Sequence, residues 1–584
     1  MKIKIPSNLA KQKYVDKKYI TDDTRELDKD SLLIRTKGNE GFVSKVLEDF
    51  CANPLDSSFC DSLTKSDLKD SIITPKELAA MFAPLPSLVA ITGTNGKTTT
   101  AAIIYSILLD LGYTCGLLGT RGAYKNDKKI RPKGLTTPSL LELYEILLEC
   151  RDCDFVIMEV SSHAIVQERV AGLEFASKVL TNITSDHLDY HKTLEEYVRV
   201  KNSFLIDWDN LSCGGSIIIN ADEPNAWLND LQDLRGAGKG IIKDVFRNTL
   251  KNSVLYYAIE QGRLANLKAD AYSLDNGISA HISFVGKCGG STRACDSEKS
   301  EKIDRDNTDK KEQKISEQTL INAHLYGKHN LYNILAAILC VKSLKAQSTS
   351  LDCASTNFID SKNSIDSISM DSANHIDSTC QNLAKSTNHA TKDLHISLES
   401  IGATLQNFGG VEGRMEVVSH YPLIIVDFAH THDGMEQIFE SFRGREIAVV
   451  FGAGGDRDRT KRPKMGLCAY KYAKKLYITS DNPRSENPQS IIEDILSGIP
   501  KPNHRRVVCE IDRAEAIAQA INELESGEIL LILGKGDETY QILGERSIEF
   551  DDREVVREVL SRQNLLEKST TKYLKTKNTT KRQS

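Results

Sequence analysis

An α/β fold built on parallel sheets is predicted for this chain from three observations. Short apolar runs alternate with amphipathic helical patterns over most of the 584 residues. One such alternation, "VAITGTNGKTTTAAII" at 89–104, passes from an apolar run through a Gly-rich turn into a helical pattern. The charged and polar motifs follow directly after apolar runs, where ligands collect in open α/β sheets. A chain this long holds several domains, each able to bury its own core.

In that segment, 88–92 is expected to be a buried strand, Gly93–Gly96 a loop and 97–111 a helix whose first N–H groups face an anion. Gly93 and Gly96 allow close backbone approach, with Thr94 and Asn95 between them. Lys97 supplies a point charge, the Thr98 hydroxyl is placed for Mg²⁺, and Thr99 continues the first turn. This reads as a nucleoside-triphosphate site. Its one departure from the P-loop pattern is at the front, where Ala90 and Ile91 stand near the position of an expected extra glycine. Further strands are expected at 154–160, 178–183, 216–220, 423–429, 446–452, 475–480 and 528–534, with a helix over 140–149. Residues 288–318 and 346–392, rich in Ser, Asp, Asn, Thr and Lys, are read as disordered insertions in surface loops, and 564–584 as a disordered basic tail.

Composition narrows the function classes. A net charge of −6 gives no global attraction to nucleic acid or anionic membrane. The N-terminus lacks an apolar signal core, and no stretch reaches the ~18 apolar residues of a membrane span, so a cytoplasmic protein without membrane insertion is expected. Thirteen cysteines, an odd number spread along the chain, do not form a disulfide framework. Cys150 and Cys153 lack a second pair or a nearby His to complete a zinc set, and are read as flanking a helix end.

Glu159 ends one predicted strand and is followed by Ser162, His163 and Arg169. His187 and His191 follow another, with Lys201 on the next helix. A Glu and a His at the mouths of separate strands, facing Thr98, form a candidate set for one or two Mg²⁺ ions, although imidazole is an uncommon Mg²⁺ ligand.

The ordered series "TGTNGKTTT", "LTTPS", "MEVSSHAIVQERV", "TNITSDHLDYH", "GKHNLYN", "GRME", "DFAHT", "GGDRDRTKRP", "DNPR" and "GKGDE" resembles the ATP-dependent Mur ligases over residues 21–562, the two polar stretches apart. Within them it resembles the branch that adds meso-2,6-diaminopimelate to UDP-N-acetylmuramoyl-L-alanyl-D-glutamate in peptidoglycan synthesis. The resemblance implies a reduced uridine-nucleotide domain (1–86), a central P-loop ATPase domain (87–410) and a Rossmann-like C-terminal domain (411–563) that brings the amino acid. It implies ATP and Mg²⁺ as cofactors and small-molecule substrates; with the net charge giving no pull on nucleic acid, a monomer without a nucleic-acid partner is expected. It places Lys97 on the γ-phosphate and Thr98, Glu159, His187 and a carbamylated Lys201 around the metal ions. Further ATP contacts are implied for Asn330, Arg414, Asp427 and His430, and sugar-peptide contacts for Thr136, Thr137, Ser162 and Arg169.

Amino-acid choice is read from "SDNPRSENP". Arg484 can grip a carboxylate with two parallel hydrogen bonds, and lysine lacks the second carboxylate of diaminopimelate. By resemblance Asp481, Asn482 and Pro483 share this site with Arg457, Gly534 and Glu538. Asp537 stands where relatives usually carry His, and His432 where Pro is common. The N-terminal region is short for the family, which leaves the uracil contacts unassigned. A folylpolyglutamate synthase, a lysine-adding Mur enzyme and a non-catalytic P-loop protein are the alternatives. "DNPR" with "SSHAIVQERV" argues against the first two, and the set Glu159, His187 and Lys201 against the third.

Overall fold

The computed structural model describes residues 2–5, 17–28, 30–37, 39–45, 71–226, 254–260, 265–275, 277–287, 314–347, 391–393, 396–500 and 506–563. The amino-terminal part forms a small sheet of β1 (Lys2–Lys4), β2 (Tyr19–Thr21), β3 (Ser31–Ile34) and β4 (Ile72–Ile73), paired in that order. The helix Pro75–Phe82 follows it. Thr74 caps that helix through the Glu77 N–H, Glu77 answers on the Thr74 N–H, and Pro75 fixes the first turn.

The central sheet contains β5 (Ser87–Thr92), β6 (Cys115–Gly119), β7 (Gly122–Lys125), β8 (Lys128–Arg131), β9 (Phe155–Glu159), β10 (Phe175–Leu180), β11 (Leu211–Asn220), β12 (Val254–Ala258), β13 (Leu267–Ser273), β14 (Ile278–Lys287) and β15 (Lys314–Ala323). Its order is β15-β14-β13-β12-β11-β10-β5-β9-β6-β7-β8. The run from β13 to β6 is parallel, and antiparallel strands extend both edges. β5 is buried at every residue, as a central parallel strand must be, and Ala90 and Ile91 are core residues within it. Helices Lys97–Asp110 and Lys328–Ser343 bury one face of the sheet. Leu140–Glu149 and Pro75–Phe82 cover the other face, in a core shared with β1–β4.

The carboxyl-terminal sheet runs β18 (Glu416–His420), β19 (Leu423–Asp427), β23 (Ile529–Leu533), β20 (Ile447–Phe451), β21 (Lys475–Ile478), β22 (Val507–Cys509), all parallel except β18. In chain order, the small antiparallel pair β16 (Lys345–Gln347) and β17 (Thr391–Asp393) comes between the strands of the two large sheets. After β23 comes the hairpin β24 (Tyr540–Leu543) and β25 (Arg546–Glu549).

The predicted α/β class holds, with two corrections. The stretch 288–318 is not wholly an insertion, because Lys314 onward pairs with β14. Such an edge strand is wet on one side, so its polar residues resemble a loop in sequence. Likewise 346–347 and 391–392 are strand residues, while 288–313, 348–390 and the tail 564–584 lie outside the described residues. The strand expected at 178–183 stops at Leu180, because Thr181 and Asn182 turn away to bond the Gly-rich loop. The helix Leu140–Glu149 has its predicted bounds, with Cys150 as its buried C-cap.

Candidate active site

The loop after β5 makes its turn with Gly93 at φ +147° and Gly96 at φ +82°, and the helix begins at Lys97. Neither glycine tolerates a side chain: an added Cβ would lie 1.9 Å from Thr181 Oγ1 at Gly93 and 2.3 Å from Asn333 Oδ1 at Gly96. The loop is also held from β10, where Asn182 Oδ1 accepts the Asn95 N–H at 2.9 Å and Thr181 Oγ1 donates to the Asn95 carbonyl at 2.6 Å. Thr94 Oγ1 lies 3.1 Å from the Tyr197 hydroxyl, and Thr99 is buried in the first helical turn.

Two lysines converge on this loop. Lys97 Nζ donates to the Gly93 and Thr94 carbonyls at 2.9 and 2.8 Å, and Lys201 Nζ donates to the same Gly93 carbonyl at 2.9 Å. Lys201 is 1% exposed, with its amine 4.8 Å from the centre of the Tyr197 ring. Burial lowers the pKa of both amines. Lys97 adds to the effect on Lys201, while Glu159 and Asp186 oppose it at Lys97.

Glu159, at the carboxyl end of β9, accepts from Thr98 Oγ1 at 2.9 Å on one oxygen and from the Thr120 N–H at 3.0 Å on the other. Gly119 must be glycine beside it, since a Cβ there would lie 2.0 Å from Glu159 Oε1. His187 sits at φ +54° next to Asp186, and its pKa is lowered first by burial. The Thr98 hydroxyl and Glu159 carboxylate at the helix N-terminus fit a hard divalent cation as oxygen donors, while His187, close enough to feel the Lys97 and Lys201 charges, is the exception in kind. Elsewhere, among the described residues, Glu446, Glu525 and Glu528 lie close enough to share an ion. Lys474 already stands among them at 2.7–3.0 Å.

Next to Glu159, Thr137 Oγ1 donates to the Glu159 carbonyl at 3.0 Å, and Arg169 donates to the Thr137 carbonyl at 2.7 Å. Thr136 is tied to Thr120 at 3.1 Å, and Ser162 to His191 at 2.9 Å. His191 is buried, unlike a surface histidine at a helix start.

On the opposite flank, Asn330 accepts from Asn333 at 3.0 Å and donates to the Tyr326 carbonyl. They share a narrow cleft with Arg414, Asp427 and His430. Asp427 accepts the Met415 and Ala429 N–H groups, each at 2.7 Å, and burial raises its pKa. The Arg414 guanidinium lies 4.2 Å over Phe428, and His430 Nδ1 is 3.0 Å from the Phe428 carbonyl. Asn95 Nδ2 and His329 Nδ1, both lining this cleft, are buried without a hydrogen-bond partner among the described residues. Orphaned polar atoms in a cleft suit a polar heterocycle or its sugar.

A larger cavity of about 500 Å³ opens from His187 and His430 toward the C-terminal sheet. Its far wall carries Arg457, Asp481, Asn482, Arg484, Gly534 and Glu538. Asn482 donates to Glu538 at 2.8 Å and accepts the Ile542 N–H at 2.9 Å. Arg484, at φ +53°, donates to the Gly455 carbonyl at 2.7 Å, and Arg457 to the Asp456 carbonyl at 3.2 Å. Pro483 fixes the turn, its carbonyl so close to Gly455 that a Cβ there would lie at 1.8 Å. Gly534 is required as well, since a Cβ would lie 2.6 Å from Asp481 Oδ2.

The residues singled out from the sequence are thus divided among neighbouring clusters: Thr98 and Glu159 at one cavity, Asn330, Arg414, Asp427 and His430 at the narrow cleft, and His187, Arg457 and Arg484 at the larger cavity. Sequence reasoning passed over Lys535, which is fully buried and donates to Glu538 at 3.1 Å although it stands inside the "GKGDE" motif. It also missed Thr120, Asn182, Asn333 and Lys461, the last lining the cavity. A periodicity signal exists for Asn333 alone, one helical turn after Asn330.

Residues 91–241 match the Mur ligase middle domain, and residues 413–536 match the Mur ligase glutamate ligase domain. A protein of Helicobacter hepaticus named UDP-N-acetylmuramoyl-L-alanyl-D-glutamate--2,6-diaminopimelate ligase is 45% identical over 93% of this chain and 97% of its own. A protein of the same name from Wolinella succinogenes is 42% identical over 92% and 95%. A solved structure of a ligase with that name superposes with a TM-score of 0.53 at 23% identity, over 93% of this chain and 95% of its own. With both domain models in their expected order and relatives matched along nearly their whole length, the chain belongs to the Mur ligases.

Proposed function

We propose that the chain is an ATP-dependent ligase that adds meso-2,6-diaminopimelate to UDP-N-acetylmuramoyl-L-alanyl-D-glutamate, and that it works in the cytoplasm in peptidoglycan synthesis. The supporting observation is the cavity that runs from Asp186 and His187 of the central domain, past His430, to Arg484. The near relatives bear the name of this activity.

A carboxylate and an amine do not condense in water at neutral pH. The γ-phosphoryl group of ATP is transferred to the D-glutamate carboxylate, releasing ADP. The amine then attacks the acyl carbon, phosphate leaves, and the amine loses a proton. Lys97, held over the Gly93 and Thr94 carbonyls, is placed to swing to phosphate oxygens, where negative charge gathers. Gly93, Thr94, Asn95, Gly96, Thr98 and Thr99 cradle the phosphates, and Asn330, Arg414, Asp427 and His430 take the nucleoside. Thr98, Glu159, His187 and Lys201 would hold Mg²⁺, which when bound supplies further positive charge to the phosphates. Lys201 contributes as a carbamate: an amine kept neutral by burial is the form that adds CO₂, and addition with loss of the N–H proton to solvent turns a neutral amine into an anionic oxygen ligand. Thr136, Thr137, Ser162 and Arg169 hold the acceptor beside Glu159. Arg484 and Arg457 orient the carboxylates of the amine donor, and Glu538 with Asp481 its ammonium groups.

The three bodies are assigned to 1–86, 87–410 and 411–563, so that parting of the last two admits nucleotide to the cleft at Arg414 and Asp427. The test is phosphate release with UDP-muramoyl dipeptide and ATP, offered diaminopimelate, lysine or glutamate in turn. Turnover with diaminopimelate alone is expected. Equal turnover with lysine would overturn the specificity, and turnover with glutamate alone would favour a folylpolyglutamate-like reaction.

A further inference from the structure

We propose that Lys133 and Asp537 form a positioning ion pair that sets the acceptor substrate against the incoming amine. Lys133 Nζ lies 3.1 Å from Asp537 Oδ2, across the gap between the central and C-terminal parts. Lys133 stands three residues before Thr136, and Asp537 immediately precedes Glu538, so the pair joins the two loops that carry the acceptor and donor contacts proposed above. The inference rests on that reading of the two loops.

Asp537 does not line the amino-acid cavity, although Gly534 and Glu538 on either side of it do. Its carboxylate faces Lys133 instead, with only 10% of the side chain exposed. A shielded pair keeps more of its attraction than a surface pair, which solvent and salt screen. Its backbone is fixed as well. Gly536 turns at φ +55°, and a Cβ on Gly413 would lie 2.0 Å from the Asp537 nitrogen. Nearby, Arg121 from the β6–β7 turn pairs with Glu412, so the same region of the central domain is tied to the C-terminal part at two points. An ångström of slip between two bound reactants suffices to lower the rate of their union.

The experiment compares the full chain with Lys133→Glu, Asp537→Lys and the swapped double variant in the ligation assay. Each single variant is expected to lower kcat about tenfold while KM for ATP stays unchanged, and the double is expected to recover to within about threefold of the starting enzyme. A purely structural loss would not be reversed by the swap. Hydrogen exchange over 132–139 provides the second measurement: faster exchange in Asp537→Lys and restored protection in the double support the pair. Single variants as active as the starting enzyme, or a double no better than the worse single, would overturn it. Failure of the starting enzyme to use diaminopimelate would overturn the proposed function instead, and the exchange measurement would then decide the pair.

Discussion

Lys178 and Lys201 in the central domain and Arg462 and Arg513 in the C-terminal part are all buried basic side chains, yet their partners differ in kind. The lysines rest on backbone carbonyls: Lys178 on those of Phe204 and Asp207 at 2.9 and 2.6 Å, Lys201 on that of Gly93. Among the described residues neither has a carboxylate within ion-pair distance. The arginines are matched with carboxylates. Arg513 forks onto Asp552 at 2.7 and 2.8 Å, and Arg462 onto Glu486 and Asp494 at 2.8–2.9 Å. An amine can shed its proton when desolvated, whereas a guanidinium cannot and must bring an anion with it. Buried lysine is therefore available for chemistry, and buried arginine is architecture. Arg513 shows the architecture directly, because it also donates to the Ser480 and Leu533 carbonyls, fastening the strand ends that present Asp481 and Gly534.

The largest effect expected is on stability. Arg513→Met leaves Asp552 charged, buried and alone, at a cost of about 3–5 kcal/mol in the unfolding free energy of the C-terminal domain. Arg513→Met with Asp552→Leu should recover most of it. A loss below about 1 kcal/mol for the single variant would break the contrast, since it would show the guanidinium to be no more committed than an amine.

Activity should respond next, and on the lysine side. Lys97→Met is expected to lower kcat by about 10²–10³, the range for losing one preorganised charge-stabilising donor, with little change in the melting temperature. Lys201→Ala should lose activity to a similar extent and regain part of it in short-chain carboxylates, which replace the missing anionic oxygens. Full activity without them would remove the carbamate from the mechanism.

How much of this was legible beforehand follows the same division. The Gly-rich loop, Lys97 and Glu159 were readable in position, because an apolar run followed by glycines or by a lone carboxylate marks a strand end. Arg484 was readable in its place, after a strand and at the wall of the cavity, but its hold on the Gly455 carbonyl was not. The burial of Lys201 was not: its helix carries charges on several sides, and only the packing of Tyr197 and the Gly93 carbonyl against it makes the site dry. Lys535 escaped for the same reason, since its partner Glu538 draws the eye while the lysine lies wholly inside. The edge strand β15 was missed because a strand half in water has the composition of a loop. Paired partners such as Arg513 and Asp552 lie 39 residues apart, beyond any local pattern.

Arg484 lies between the two classes, since its guanidinium is held by the Gly455 carbonyl and faces the cavity with no carboxylate within ion-pair distance among the described residues. The missing anion is the one the amine donor is expected to bring. Arg484→Gln should lower the preference for diaminopimelate over lysine by about 10- to 150-fold, equivalent to roughly 1.5–3 kcal/mol for one charged hydrogen-bonded contact. Measured as a ratio of kcat/KM values, an unchanged preference would mean that another group reads the second carboxylate.

The gentlest test turns on pH and on Lys178, whose pKa is pushed down to about 7, chiefly by burial. In the unfolded chain the same amine titrates near the ordinary lysine value of about 10.4. Between these values the unfolded state binds a proton that the folded state lacks, so this group makes stability rise with pH across that window. Below about pH 7 both states are protonated, and the folded state carries the full cost of a buried charge. Lys178→Met removes the titration. Its denaturation midpoint relative to the starting protein should be most favourable near pH 6 and should decline steadily by pH 9, as the native amine becomes neutral and its two carbonyl hydrogen bonds regain their advantage. A difference independent of pH would mean that the amine stays charged in the folded state, and the line drawn between buried lysine and buried arginine would fall with it.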